Sequence, residues 1–146
     1  RIAKGVVIDG IENTMISFGK CCNPIPGDSI VGYITRGRGV TVHRGNCTNI
    51  PSSSNLDRML NVEWNVGNKE SFMVRLKILG QDRKHFLKDI TESISGLNIN
   101  LVSVDIKAKE GLATGIFILQ IRDTRQLNRI QNKIKIINGI IDTQRM

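Results

Sequence analysis

Between residues 71 and 79 the chain alternates, with Phe72, Val74, Leu76 and Ile78 on one side and Met73, Arg75 and Lys77 on the other. That two-residue period predicts a half-buried strand. The period then lengthens. Phe86, Leu87, Ile90, Ile94 and Leu97 recur at three- and four-residue spacings, the stripe of an amphipathic helix that Gly96 helps to end. Alternation returns over residues 99–109, where Leu101, Ser103 and Asp105 oppose Val102, Val104 and Ile106. Glu110 and Gly111 supply a turn, and residues 114–121 follow as a strand through Ile116, Ile118 and Gln120, which predicts a hairpin. Leu127, Ile130, Ile134 and Ile137 mark a second helix, expected to start after Thr124 as its N-cap, and residues 140–143 read as a short last strand after Gly139. The order βαββαβ predicts a ferredoxin-like split arrangement over residues 70–146, with both helices on one face of an antiparallel sheet.

The first half has a shorter rhythm. β-Branched residues alternate with polar ones over residues 14–18, 29–34 and 40–43. The runs Cys21-Cys22-Asn23-Pro24-Ile25-Pro26-Gly27-Asp28 and Thr35-Arg36-Gly37-Arg38-Gly39 punctuate them as turns. A polar break at residues 51–55 is expected to cap a short helix over 56–60, with a closing strand over 61–66 and a boundary at 67–69. The expected fold class is therefore α+β in two small domains, a β-rich module at 1–66 and the βαββαβ domain at 70–146.

Composition adds a direction. The chain has 146 residues, is 40% hydrophobic and 23% charged, and carries a net charge of +8, an ordinary globular balance with a basic excess. Residues 1–66 hold seven Lys/Arg against five Asp/Glu, and residues 67–146 hold fourteen against eight. Such an excess suits a polyanion, because neutralising phosphates releases counterions; it also serves solubility alone, and composition does not separate the two. RNA is the preferred partner over a membrane, since no basic helix with a Trp/Phe face is visible. No run approaches the ~20 apolar residues of a membrane span, and residues 1–10 lack a signal-peptide core, so a cytoplasmic protein is expected. The chain begins at Arg1 without Met, and Gly5-Val6-Val7-Ile8 already reads as structured sequence. An excised piece of a longer protein is expected, with anything catalytic upstream.

The densest chemistry lies between Cys21 and Cys47. Three cysteines, two of them adjacent, make a poor disulfide framework. Cys21, Cys22, His43 and Cys47 instead form a Cys3His set with the softness and count that tetrahedral zinc prefers. The spacing from His43 to Cys47 is finger-like, whereas adjacent cysteines are not, because paired zinc cysteines usually stand two to four residues apart. Two readings stay open: a zinc site, or side chains that pack a small core or meet a partner with no metal. Pro24 and Pro26 fix φ and stiffen the loop presenting the cysteines. Gly37 and Gly39 bracket Arg38, so Arg36, Arg38 and Arg44 read either as phosphate contacts or as solvated arginines of a tight turn. Cys21 or Cys22 with His43 as base meets the bare residue list for thiol catalysis, but no residue in the pattern orients the pair, and no catalytic site is expected in this chain.

These residues also carry a resemblance. The blocks Cys21-Cys22-Asn23-Pro24-Ile25-Pro26-Gly27-Asp28 and Thr35-Arg36-Gly37-Arg38-Gly39-Val40-Thr41-Val42-His43-Arg44 with Cys47 resemble the zinc-finger-like, or ribosome-intersubunit, domain of long RelA/SpoT enzymes that make and degrade (p)ppGpp. Residues 71–146 resemble the ACT domain that ends those proteins. The resemblance implies a regulatory C-terminal region that docks on ribosomal RNA and tRNA and controls upstream catalytic domains, those of a GTP pyrophosphokinase, a (p)ppGpp hydrolase or both. It implies a zinc-finger-like role for Cys21, Cys22, His43 and Cys47, places Arg36, Arg38 and Arg44 in the adjoining loop as RNA contacts, and implies homodimers through the ACT domain.

The second half departs from its family in one place. ACT domains usually carry Asp-Arg-x-Gly after the first strand, where glycine lets backbone amides approach an amino-acid ligand; here Asp82-Arg83-Lys84-His85 puts an imidazole at that position. His85 is instead expected to cap the turn or face RNA. Should the domain sense a small ligand such as an amino acid, Asp82, His85 and Asn98 are the first places to look. An RNA-docking module, an amino-acid sensor and an intramolecular brake are the three functional classes that the sequence leaves.

Overall fold

Two hydrophobic cores account for the chain, one in each of the units Arg1–Glu70 and Ser71–Met146. The computed structural model describes residues 2–3, 5–8, 15–35, 37, 39–50, 58–67 and 70–146. The fold is α+β, a small β-rich module followed by a domain with two helices.

The first unit is built from short strands: β1 (Ile2–Ala3), β2 (Val6–Ile8), β3 (Ile16–Phe18), β4 (Ile30–Thr35), β5 (Gly39–Arg44), β6 (Met59–Leu60) and β7 (Val62–Trp64). They form a three-stranded sheet in the order β1-β2-β7 and a four-stranded sheet in the order β3-β5-β4-β6. All pairings are antiparallel except β3 with β5. Val6, Ile8, Ile16, Val40, Val42 and Val62 make its core, and Phe18, Ile30, Leu60 and Trp64 pack against it. Phe18 and Trp64 stack with ring centroids 5.8 Å apart. Because Val40 and Val42 point inward from β5, Thr41 and His43 are carried on its other face.

Of the helix expected over residues 56–60, Arg58 is in a 3-10 turn while Met59 and Leu60 are not helical. Residues 51–57 lie outside the described residues, and Met59–Leu60 is strand β6, paired with Tyr33 and Gly32 of β4. Burying Leu60 on the core through a sheet pairing outweighs a weak local helix signal. The strand expected over 14–18 runs from Ile16, and the closing strand is the shorter β7. Strand β2, read only as structured sequence, and strand β1, not anticipated, are too short to show a period.

The second unit follows the predicted order with β8 (Phe72–Gln81), α1 (Phe86–Gly96), β9 (Asn100–Lys109), β10 (Leu112–Ile121), α2 (Thr124–Lys135) and β11 (Ile140–Arg145). Its antiparallel sheet runs β11-β8-β10-β9. Val74, Leu76 and Ile78 of β8 join Phe117, Leu119 and Ile121 of β10, Phe86, Ile90 and Ile94 of α1, and Leu127, Ile130 and Ile134 of α2, all buried. On β10 the buried positions are the odd-numbered ones, so Ile116 and Ile118 lie half-buried on the sheet's other face. Gly80 makes room for α1: a Cβ there would stand 2.6 Å from the Phe86 ring.

Both helices end on side-chain or backbone devices that the apolar spacing does not reveal. The N-cap of α2 is Asp123 rather than Thr124: its carboxylate accepts the Gln126 amide at 2.8 Å, and the Gln126 side chain accepts the Arg122 amide at 2.8 Å. At the C-terminus of α1, Asn98 adopts a left-handed conformation with φ 57. The Asn98 amide donates to Ser95 O at 2.9 Å and the Ile99 amide to Ile94 O at 3.2 Å, the paired bonds of a Schellman motif.

Asp123→Ala is therefore expected to lower stability in urea unfolding by about 1 kcal/mol. Asn98→Gly should be neutral or stabilising in the same assay, while Asn98→Val, a β-branched residue forced left-handed, should cost about 1–2 kcal/mol.

Candidate metal centre

A tight turn and a strand end deliver four ligand atoms to one place. After β3 the Gly19 amide donates to Val42 O at 2.9 Å, which fixes the turn against β5. The chain then reverses, with the Asn23 amide donating back to Gly19 O at 2.8 Å and Asn23 left-handed at φ 45. This reversal turns both adjacent cysteines toward β5. The following loop is held by Asp28, whose carboxylate accepts the Ile25 amide at 2.8 Å and whose carbonyl accepts Trp64 Nε1 at 3.0 Å, while Ile25 is buried. Strand β5 supplies His43, and the turn after it, closed by Cys47 N donating to Arg44 O at 3.0 Å, supplies Cys47.

Cys21 Sγ lies 3.9 Å from Cys22 Sγ, 3.4 Å from Cys47 Sγ and 3.4 Å from His43 Nδ1, and Cys22 Sγ lies 3.7 Å from His43 Nδ1. All four ligand atoms fall within 4.8 Å of one another. A tetrahedral zinc ion requires S···S separations of about 3.8 Å and S···N separations of about 3.5 Å, so the donor set fits such an ion. Adjacency of Cys21 and Cys22, unlike a knuckle by spacing, is accommodated by the turn. Gly19 is the residue that sequence reasoning passed over: a Cβ on it would meet His43 Nδ1 at 2.7 Å and Cys21 Sγ at 3.3 Å. Its signal in the sequence was a glycine two residues before the first cysteine.

The electrostatics suit a soft-cation ligand set. Burial holds the His43 imidazole below its ordinary pKa, so its lone pair is free of a proton near neutrality. Burial, helped by the Cys47 and Cys21 thiols, pushes Cys22 up to about 12 against the hydrogen bond from the Arg44 amide. At Cys47 burial works upward too, but the Asn49 amide, the Cys21 and Cys22 thiols and the Arg44 charge outweigh it and hold the thiol below its usual range. Cys47 is thus the readier of the two thiols to ionise.

Of the three arginines, Arg44 lies among the described residues. Arg36 and Arg38 lie outside the described residues; Gly37 and Gly39 between and beside them have φ 70 and 85. Arg44 is the last residue of β5, paired with Ile30, whereas Thr35 pairs with Gly39. Arg44 stands five steps along β5 from Gly39, about 17 Å at 3.4 Å per residue, and its amide donates to Cys22 Sγ, so it belongs with the cysteine cluster.

The second unit separates its candidates likewise. Asp82 and His85 line a groove with Arg83, Phe86, Leu87, Lys88, Ile106 and Ala113. His85 stands at the N-cap of α1 in a left-handed conformation, φ 66, where its carbonyl accepts the Asp89 amide at 2.9 Å and its side chain makes no cap bond. Asn98 lies at the far end of α1, an 11-residue helix of about 16 Å, and serves as that helix's C-terminal stop. Arg83 braces the groove, donating from Nε to Asn138 O at 2.9 Å, from Nη1 to Lys84 O at 2.8 Å and from Nη2 to Asp89 Oδ2 at 2.8 Å.

Comparison with known proteins agrees with this architecture. The model of the RelA/SpoT RIS domain matches residues 6–65, and that of the ACT domain matches residues 68–145. A GTP pyrophosphokinase of Myxococcus xanthus is 36% identical over 143 residues, 97% of this chain and 19% of that protein. A GTP pyrophosphokinase of Streptomyces coelicolor is 33% identical over 97% of this chain and 17% of its own length. The bifunctional (p)ppGpp synthase/hydrolase RelA of Mycobacterium tuberculosis is 31% identical over 97% of this chain and 20% of its own. The chain thus spans a fifth or less of the length of these relatives. Among solved structures, the ACT domain of a Chlorobium tepidum GTP pyrophosphokinase covers 52% of this chain and 99% of its own, with a TM-score of 0.48 and 24% identity. With one module built around a Cys3His cluster and the next a four-stranded sheet under two helices, the chain belongs to the RelA/SpoT family, in which it carries a RIS domain followed by an ACT domain.

Proposed function

We propose that this chain is the regulatory C-terminal region of a stringent-response enzyme, a GTP pyrophosphokinase, a (p)ppGpp hydrolase or both. In this reading it docks on ribosomal RNA and tRNA in the cytoplasm and controls catalytic domains upstream in the same polypeptide. The observation that carries the reading is the succession of RIS and ACT matches across residues 6–145, aligned over 97% of the chain with GTP pyrophosphokinases. The basic excess supports an anionic partner, and no helix among the described residues is long and apolar enough to cross a membrane.

In this reading Cys21, Cys22, His43 and Cys47 hold zinc as a structural staple. Four protein ligands leave no open position for a reacting water, so the ion supplies rigidity to the loop rather than chemistry. The turn bearing Arg36 and Arg38 and the strand end bearing Arg44 then offer guanidinium forks to phosphates. A second reading, an ACT-type sensor of a small molecule such as an amino acid that acts through a homodimer, is favoured by the groove at the start of α1.

Co-sedimentation with ribosomes across a salt series tests the first reading: binding is expected to fall steeply with salt, and the Arg36→Ala, Arg38→Ala, Arg44→Ala triple variant is expected to bind several-fold less. Absence of binding by the native chain would overturn it. Equilibrium zinc titration of the reduced chain should give one ion per chain with release of protons, and Gly19→Ala, which drives a methyl group against His43, should weaken affinity by about tenfold or more. For the sensor reading the readout is thermal unfolding: an apolar amino acid that raises Tm through linkage would establish it, and the left-handed His85 in place of glycine leads us to expect no rise.

A further inference from the structure

All three thiols of the chain lie in the first unit's cluster, and their surroundings differ. Cys21 is exposed, Cys47 half-buried and Cys22 buried. Cys21 Sγ lies 3.4 Å from Cys47 Sγ and 3.9 Å from Cys22 Sγ. The shorter distance joins two separate segments, the reversal after β3 and the turn after β5, 26 positions apart in sequence. The adjacent pair is poorly placed for a bond: across a trans peptide the Cα atoms stand about 3.8 Å apart, whereas a disulfide spans about 4.4–6.8 Å. Cys22 is also engaged, its sulfur accepting the Arg44 amide at 3.4 Å and lying 3.7 Å from His43 Nδ1, with 1% of the residue exposed. Cys21 and Cys47 need an approach of only about 1.4 Å to reach the length of an S–S bond, and Cys21, at the surface, has room to turn.

We propose that Cys21 and Cys47 are a redox-responsive pair that hydrogen peroxide converts to a disulfide, with Cys22 left as a thiol. The Cys21 sulfur attacks one peroxide oxygen and the O–O bond breaks. The departing hydroxide and the Cys21 proton make water, and Cys21 becomes a sulfenic acid. The Cys47 sulfur then attacks the Cys21 sulfur; the S–O bond breaks, the S–S bond forms, and hydroxide leaves with the Cys47 proton as a second water. Two electrons pass from the two sulfurs to one peroxide. With Cys47 at 3.4 Å, the sulfenic acid is resolved before further peroxide carries it to the irreversible sulfinic acid. The consequence for a metal rests on the zinc reading given above. In the zinc-loaded chain the two sulfurs are thiolates, the protons of both waters come from solvent, and the disulfide leaves Cys22 and His43 as two ligands where a structural site takes four, so the ion departs. The oxidised unit thereby exchanges a metal staple for a covalent one between the same two segments, and a thiol reductant reverses the exchange.

The test treats the full chain, reduced and titrated with zinc, with a slight excess of hydrogen peroxide, then blocks remaining thiols by alkylation. Peptide mapping without reductant reads the linkage, and a chromogenic chelator follows the metal. Free thiols should fall from three to one, with Cys21 linked to Cys47, Cys22 alkylated and one zinc released per chain. Dithiothreitol should restore all three thiols and the uptake of zinc. Cys22→Ser should form the same linkage, whereas Cys47→Ser should form none and should yield a Cys21 sulfenic acid that dimedone traps. The map of the native chain decides the assignment whether or not the serine variants fold. A linkage through Cys22, cross-links between chains, or a sulfinic acid at Cys21 beside an alkylated Cys47 would overturn it. If the chain takes up no zinc and the linkage still forms, the zinc reading falls and the pair stands. If zinc is bound and stays bound with three thiols intact, the zinc reading stands and the pair falls.

Discussion

The first unit depends on the crowding of three sulfurs and an imidazole nitrogen within 4.8 Å. Thiols are weak donors and weak acceptors, so four such groups facing one another satisfy each other poorly, and each thiolate formed raises the cost of the next. A soft divalent cation would remove that conflict by drawing on every lone pair at once. The arrangement has a reason in the size of the core. Six buried aliphatic residues on strands of two to six residues enclose little apolar area, and small modules of that kind commonly rely on a covalent or metallic staple. The second unit, with ten-residue strands and two helices, encloses a larger core and contains no comparable cluster among its described residues.

How readily each half could be read in the sequence follows from the same contrast. Strands β8, β9 and β10 and helices α1 and α2 run ten to twelve residues, long enough for a period to assert itself against noise, and their order was legible. Their ends were less so. Asp123 and Thr124 are both good caps, and only the hydrogen bond to the Gln126 amide distinguishes them. Asn98, a candidate for ligand contact by residue type, is in place because asparagine tolerates the left-handed conformation. In the first half, two- and three-residue strands such as β1, β2 and β6 show no period, and their pairing is long-range: β2 meets β7 and β6 meets β4. The four metal-type residues were legible by chemistry. What brings Cys21 and Cys22 to one point, the reversal from Gly19 to Asn23, is a backbone feature without a hydrophobic signature.

The two units hold their cations differently. At the end of β5, Arg44 donates its amide to Cys22 Sγ, so the strand end and the cluster share one local structure. On α2 the cations stand on a straight helix whose other side is locked into the core.

Arg83 gives the second unit a property that its topology does not. Through three donors it joins the segment before α1, the first turn of α1 and the turn that leads into β11. The groove at the start of α1 and an edge of the sheet are thus linked through a single guanidinium. Displacing that group, by an occupant of the groove or by strain on the edge strand, breaks connections to both places together. The side chain works as a latch, so the mobility of the sheet margin and the shape of the groove are one variable rather than two.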